Sequence, residues 1–330
     1  MTKTQMLAMS KIANSGKISL LSFDLEKRKI VETMTFEGSD CFLLTDDMEK
    51  VFAGIDNKLF LCDREGKWKI VLETKSPSNF FWHLVTTKSG SIYVQEYGEP
   101  PTGVYESVDG EKWELLVTAQ KIDKKALHFH DIAYDPYRDM LIVTLGDRNY
   151  VKTAVSKDLG NSWIPLYKGA WQLLPIAVTK ECIVFGMDSG LARGGLVRWY
   201  PESEHYDVIH LDWRKNRSDL MQMADLKRLS NEVWMAALGK PQAIIASDNL
   251  TDWQIIFEQG FDNAFDYNMS LSEGENIVAF STGEQIVWMS KEDLGKLIKE
   301  DEPTIHRRYA LLDRLTGIGY VMKRKIESFR

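Results

Sequence analysis

The chain has 330 residues, enough to bury a large apolar core without disulfide staples. Lys plus Arg number 41 against 48 Asp plus Glu, a net charge of −7, which argues against the basic footprint of a nucleic-acid binder. Three widely spaced cysteines, Cys41, Cys62 and Cys182, with no C-x-x-C, argue against a disulfide framework or a zinc knuckle and point to a reducing compartment.

In the N-terminal MTKTQMLAMSKIANSGK, Lys11 breaks the apolar stretch. No signal-peptide core is read there, and a cytoplasmic location is expected. No apolar run reaches the roughly 18 residues that would predict a transmembrane segment. Three strands are predicted in residues 5–35, from QMLAMS, KISLLSF and RKIVETM. From residue 40 onward, short runs rich in Val, Ile, Leu, Tyr and Trp alternate with Gly, Asp, Ser and Pro. One set of four reads FFWHLVTT, SIYVQEY, GVYESVDG and KWELLVTA; the next reads FHDIAYD, MLIVTLGD, VKTAVSKDLG and SWIPLYK. Such sets fall at 40–75, 80–119, 129–168, 171–212, 219–259 and 261–300. Trp68, Trp113, Trp163 and Trp253 open the last strand of their sets, with Tyr206 in the equivalent place, so the period is about 46 residues.

Four strands per repeat of that length predict a β-propeller blade, which cannot bury both faces alone and must stack on its neighbours. The predicted fold is all-β, a propeller of four-stranded blades spanning 1–302. Seven blades are expected, with the N-terminal partial blade completed by a C-terminal strand; six with an N-terminal extension is the alternative. From Pro303 the pattern changes. Leu311, Leu312, Leu315, Ile318, Val321 and Met322 recur at helical spacing. Residues 303–330 are therefore read as a short appendage, helix or strand, packed on the propeller. Its Lys323, Arg324, Lys325 and Arg330 offer a basic surface to a protein partner.

Ser156-Lys-Asp158-Leu-Gly160-Asn-Ser-Trp163 fits the pattern S-x-D-x-G-x-x-W, and Ser107-Val-Asp109-Gly110-Glu-Lys-Trp113 is one residue shorter. The copies at Trp68 and Trp253 are worn. These segments resemble the Asp-box, or BNR, repeat of the sialidase-like β-propeller superfamily. VQEYGEPP, HFHDIAYDPYRDMLIVTLGD and VFGMDSG resemble glycosidase-like members of that group whose reaction is unassigned. The resemblance implies a tight turn between the third and fourth strands of a blade, with Asp109 and Asp158 bonding local backbone and Trp113 and Trp163 as anchors. It also implies a connection to carbohydrate. The chain departs from working sialidases. It has no R-I-P motif, and neither an arginine triad nor a tyrosine–glutamate nucleophile pair can be assigned.

The blades' first strands open on a recurring apolar–polar pair: Trp82-His83, Phe129-His130, Trp171-Gln172, Met221-Gln222 and Phe265-Asp266. First strands line the central channel of a propeller, so the polar members are expected to face it. His83 and His130 with a carboxylate suit a divalent cation in the central channel, the one cofactor these residues suggest. The same groups suit hydrogen bonds to a sugar. His128 and His130, two apart, would share a strand face. Glu96, Asp147 and Asp188 end second strands and are the candidate acid, base or nucleophile of a glycosidase, which needs two carboxylates. In a polysaccharide lyase, His130 or Tyr97 would be the base and Arg148 would neutralise the substrate carboxylate. Tyr97 and Trp171 offer stacking surfaces. His83, His128, Arg148, Trp171, Gln172, Gln222 and Asp266 form the expected substrate-binding set. Phosphate-binding loops and a G-x-S-x-G nucleophile elbow do not occur.

The expected function is a carbohydrate-active propeller, glycoside hydrolase or polysaccharide lyase, acting on an oligo- or polysaccharide at the central mouth. The alternative is a non-catalytic scaffold that binds a glycan or a protein.

Overall fold

The computed structural model describes residues 5–12, 14–24, 29–44, 50–63, 65–147, 151–169, 171–212, 220–260, 269–282, 285–300, 303 and 305–307. The chain packs as two compact units, 1–166 and 167–330. In the first, β1 (Gln5–Ile12), β2 (Lys17–Asp24) and β3 (Lys29–Glu37) form a three-stranded antiparallel sheet. Three four-stranded blades follow. They are β4 (Cys41–Leu43), β5 (Val51–Ile55), β6 (Lys58–Cys62) and β7 (Trp68–Glu73); then β8 (Phe80–Thr86), β9 (Ile92–Tyr97), β10 (Gly103–Ser107) and β11 (Glu114–Thr118). After the single turn α1 (Ala119–Ile122) come β12 (Phe129–Asp135), β13 (Met140–Leu145), β14 (Val151–Ser156) and β15 (Ile164–Lys168).

The second unit holds two more four-stranded blades. They are β16 (Leu173–Val178), β17 (Ile183–Arg193), β18 (Gly195–Tyr200) and β19 (His205–Asp212), then β20 (Leu220–Arg228), β21 (Trp234–Lys240), β22 (Gln242–Ser247) and β23 (Asp252–Gly260). A three-stranded sheet of β24 (Ser270–Glu273), β25 (Ile277–Ser281) and β26 (Ile286–Ser290) precedes helix α2 (Lys291–Glu300) and the short β27 (Ile305–Arg307). The all-β propeller class expected from the repeat holds.

The blade count does not. Among the described residues the structure has five four-stranded blades, not seven or six. Residues 261–300 were expected to supply four strands, but the described part gives three and a helix. The first strand of that set was expected at Phe265-Asp266, and residues 261–268 lie outside the described residues. Ser290 Oγ accepts the backbone N–H of Asp293 at 2.9 Å and donates to its carboxylate at 2.6 Å, a serine cap at the helix start. Glu292 and Asp293 then place negative charge in the first turn, and Leu294 is buried. Among the described residues the N-terminal sheet has three strands and no tail strand pairs with it. β27 pairs instead with β19 and β23. The appendage's predicted helical stretch and its basic residues lie outside the described residues, as do Arg148 and Asp266.

Burial explains why the strands pattern as they do. β5, β13 and β14 are buried at every position, while the fourth strands β7, β11 and β15 are largely open. A middle strand covered on both faces reads as a continuous apolar run. Each core cluster accordingly draws on consecutive sheets. Ile18, Leu20 and Phe36 meet Ala53 and Ile55. Phe52, Leu59 and Leu61 meet Phe81, Ile92 and Val94. Tyr93 and Val104 meet Phe129, Leu141 and Val143. In the second unit Val184 and Leu196 pack with Met223, Ala236 and Trp253, and Met235 and Ile244 with Leu271 and Phe280.

The turns before the last strands are built alike. Asp158 Oδ1 accepts the Ser162 N–H at 2.8 Å, Gly160 N–H donates to Ser156 Oγ at 2.7 Å, and Trp163 Nε1 donates to Gly160 O at 3.1 Å. Gly160 needs its freedom, because it stands at φ +108° and a Cβ there would lie 2.2 Å from Leu116. At the worn copy, Leu250 takes φ +68°, yet Trp253 Nε1 still donates to Leu250 O at 3.0 Å. Trp253 is completely buried in its cluster. Trp253→Ala should therefore cost about 3–5 kcal/mol in urea unfolding, the range for emptying a large aromatic site; a loss under about 1 kcal/mol would show that the turn and its anchor are not coupled to the core.

Candidate functional site

The sites expected from sequence divide between the two units. In the first, the second and third four-stranded blades come together through their first strands. Gln95 on β9 bridges them: its Oε1 accepts the His83 backbone N–H at 3.2 Å and its Nε2 donates to Phe129 O at 2.8 Å. Both first strands carry a register break at their start, between Phe81 and His83 on β8 and between Phe129 and Asp131 on β12. Such bulges re-aim side chains. The apolar–polar pair picked out by its recurrence therefore marks the bulge.

His128 and His130 converge there. Their Nε2 atoms are 3.2 Å apart, and His128 Nε2 is 3.8 Å from Asp147 Oδ2. One nitrogen from each ring and one Asp147 carboxylate oxygen all fall within 4.8 Å of one another. His128 Nδ1 donates to Gly98 O at 2.9 Å, which leaves its Nε2 as a lone pair. Gly146, whose N–H donates to His128 O at 2.9 Å, makes the approach possible. A Cβ on it would lie 2.1 Å from His130 Nε2 and 2.4 Å from His128 Cδ2. Asp147 follows at φ +24° with its side chain half exposed. Burial pulls the pKa of His128 below the usual imidazole value, and burial together with His128 does the same to His130 more strongly, so both rings are neutral near neutral pH.

A series of rings leads to this pair. Phe42 stacks on Phe80 with centroids 5.1 Å apart, Phe80 lies 5.0 Å from Tyr97, and Tyr97 lies 4.2 Å from His128 and 5.9 Å from His130. Trp82 closes on Tyr97 at 5.1 Å and stacks with His83 at 5.0 Å. His83 Nδ1 faces Asp131 Oδ1 at 3.3 Å, outside hydrogen-bond alignment. His130 is thus brought together with His128 and Asp147, while His83 is paired with Asp131.

Glu96 is placed differently from a reacting carboxylate. It is 2% exposed. Its Oε1 accepts from Asn79 Nδ2 at 2.7 Å, and its Oε2 accepts from Gly103 N at 3.1 Å and from the Tyr105 hydroxyl at 3.0 Å. Burial and the neighbouring Glu96 push the Tyr105 pKa up, so that hydroxyl remains a donor. Asp188 belongs to the second unit, where it accepts from Gln222 Nε2 at 2.8 Å and its N–H donates to Gln172 O at 3.0 Å. Trp171 stacks on Tyr167 with centroids 5.4 Å apart. Within the second unit the structure gathers Asp188, Gln172 and Gln222 into one polar set. Asn79, Gln95, Asp131 and Gly146 were missed in the sequence. The H-F-H-D run held the signal for Asp131; nothing local marks the others.

No family model matches the chain, and no curated protein does. The Asp-box resemblance thus rests on the sequence pattern alone. Solved structures do match. An oligogalacturonate lyase in complex with manganese superposes with a TM-score of 0.61 at 10% identity, over 87% of this chain and 86% of that one. The GH74 xyloglucanase of Xanthomonas campestris gives 0.60 at 11% identity over 86% of this chain, which spans only 53% of the xyloglucanase. YCF48 bound to a D1 peptide gives 0.58 at 12% identity, over 87% and 96% of the two chains. At such identities the likeness establishes the β-propeller fold and nothing finer.

The Glu96 arrangement makes a prediction. Glu96→Ala strips acceptors from three buried donors and should lower stability by about 2–3 kcal/mol in urea unfolding. An unchanged midpoint would return Glu96 to the list of accessible reacting groups.

Proposed function

We propose that this chain is a carbohydrate-active β-propeller that cleaves an oligo- or polysaccharide over the aromatic and imidazole cluster of its first unit. The observation that carries the reading is the continuous series Phe42, Phe80, Tyr97, His128 and His130, ending beside the half-exposed Asp147. A mostly apolar surface with a few convergent polar groups is what a sugar ring needs, since it has an apolar face and a polar edge. Two fold neighbours, a xyloglucanase and an oligogalacturonate lyase, are carbohydrate-active by name, which supports the class.

Elimination fits the cluster better than hydrolysis. Hydrolysis requires two available carboxylates. In the first unit Glu96 is held by three donors, so Asp147 is the one candidate carboxylate left to react there. An imidazole base instead suits removal of the proton α to a substrate carboxylate. That electron pair forms the carbon–carbon double bond, the glycosidic carbon–oxygen bond breaks, and the departing oxygen takes a proton. His83, with Asp131 beside it to orient the ring, is assigned the base.

The second reading is a non-catalytic binder. The commitment of Glu96 to the fold favours it, and YCF48 is a neighbour with a peptide bound.

Incubation with uronate-containing and neutral oligosaccharides, followed by mass spectrometry and ultraviolet absorbance, tests the proposal. Unsaturated products that fall by about 10²–10⁴-fold in His83→Ala are expected. Saturated products would replace elimination by hydrolysis. A melting shift without products, about 2.7 kcal/mol of stabilisation at 100 times the dissociation constant, would replace catalysis by binding. No product and no shift would overturn the carbohydrate reading.

A further inference from the structure

We infer that His128, His130 and Asp147 form a binding site for a first-row divalent cation, with at least one coordination position open to an oxygen ligand. The site combines two neutral imidazoles and a carboxylate, a donor set that suits zinc, manganese or ferrous iron.

The distances fit ligation. Two nitrogens each about 2.0–2.1 Å from a tetrahedral zinc lie about 3.3–3.4 Å apart. The two Nε2 atoms are 3.2 Å apart, with the Asp147 carboxylate 3.8 Å from His128 Nε2. The outer contacts fit as well. His128 donates Nδ1–H to Gly98 O, the backbone partner that fixes the tautomer and orientation of a ligating imidazole.

Two further observations point the same way. His130 is 4% exposed, and its Nδ1 has no hydrogen-bond partner among the described residues. At Gly146, any side chain would collide with both rings at the atoms that face each other. The backbone thus leaves room for the rings to converge and for little else. Lys152, fully buried, opposes a cation at His130. The Asp147 carboxylate answers it from the exposed side. Among the described residues these three groups converge, and the remaining positions are open to water or to an oxygen of a bound ligand.

The inference goes beyond the glycan proposal, and its test needs no glycan. The full chain, stripped with a chelator and dialysed, is titrated calorimetrically with Zn²⁺ and separately with Mn²⁺. One equivalent per chain of at least one ion is expected, with a rise in melting temperature. Asp147→Asn, a change at a half-exposed side chain, should weaken that binding by about tenfold or more. His128→Gln should do the same, and if it does not fold, Asp147→Asn decides alone. Absence of binding by either ion overturns the site. So does binding that is unchanged in Asp147→Asn, because the cation then lies elsewhere. Metal binding without glycan cleavage leaves the site standing and removes the catalytic proposal; cleavage without metal binding does the reverse.

Discussion

Every part of this molecule depends on sheets that are apolar on both faces. A strand such as β13, buried along its whole length, cannot be solvated on either side, so its sheet must be covered twice. The clusters joining Phe52 to Phe81, Tyr93 to Phe129 and Met235 to Leu271 satisfy this by linking one sheet to the next in chain order. The outer strands escape the demand and carry the polar surface. The turns before them hold by short side-chain bonds and a tryptophan N–H, even where Leu250 replaces glycine at positive φ.

The same stacking creates the site. When two sheets meet through their first strands, the register break in each first strand displaces a residue from the ladder. His130 on β12 is displaced in this way. Gln95 satisfies backbone groups exposed at that junction, and Gly146 lets the following turn close on the imidazoles. The polar cluster is therefore a product of sheet packing. It is buried enough to hold both histidines neutral and open enough at Asp147 to meet a ligand.

Much of the architecture was legible in the sequence. The tryptophan period gave the sheets in order, and the five four-stranded blades coincide with the predicted sets to within a few residues. The count failed towards the two ends of the chain, where the described residues form three-stranded sheets. Ser290 and Asp293 are three apart, the spacing of a serine cap at a helix start, and residues 291–300 form a helix. The site was half legible. His128, His130, Asp147 and Tyr97 were singled out, and they do come together. Glu96 was singled out for the same reason as Asp147, its place after a β run. Its fate was set by Asn79 and Tyr105, one in the loop before β8 and the other on β10.

The sequence by itself determined the repeat, the strand order and the residue types that gather near the starts of first strands. Those follow from local periodicity and turn chemistry, which adjacent residues encode. Only the tertiary structure decided which carboxylate is spent and which is available, and which histidines meet. Those depend on distances between strands far apart in sequence, on a bulge that shifts one side chain by one ladder position, and on the missing Cβ of Gly146. No periodicity records any of these, because each is fixed by contacts between strands of a blade and between adjacent blades, which sequence spacing does not encode.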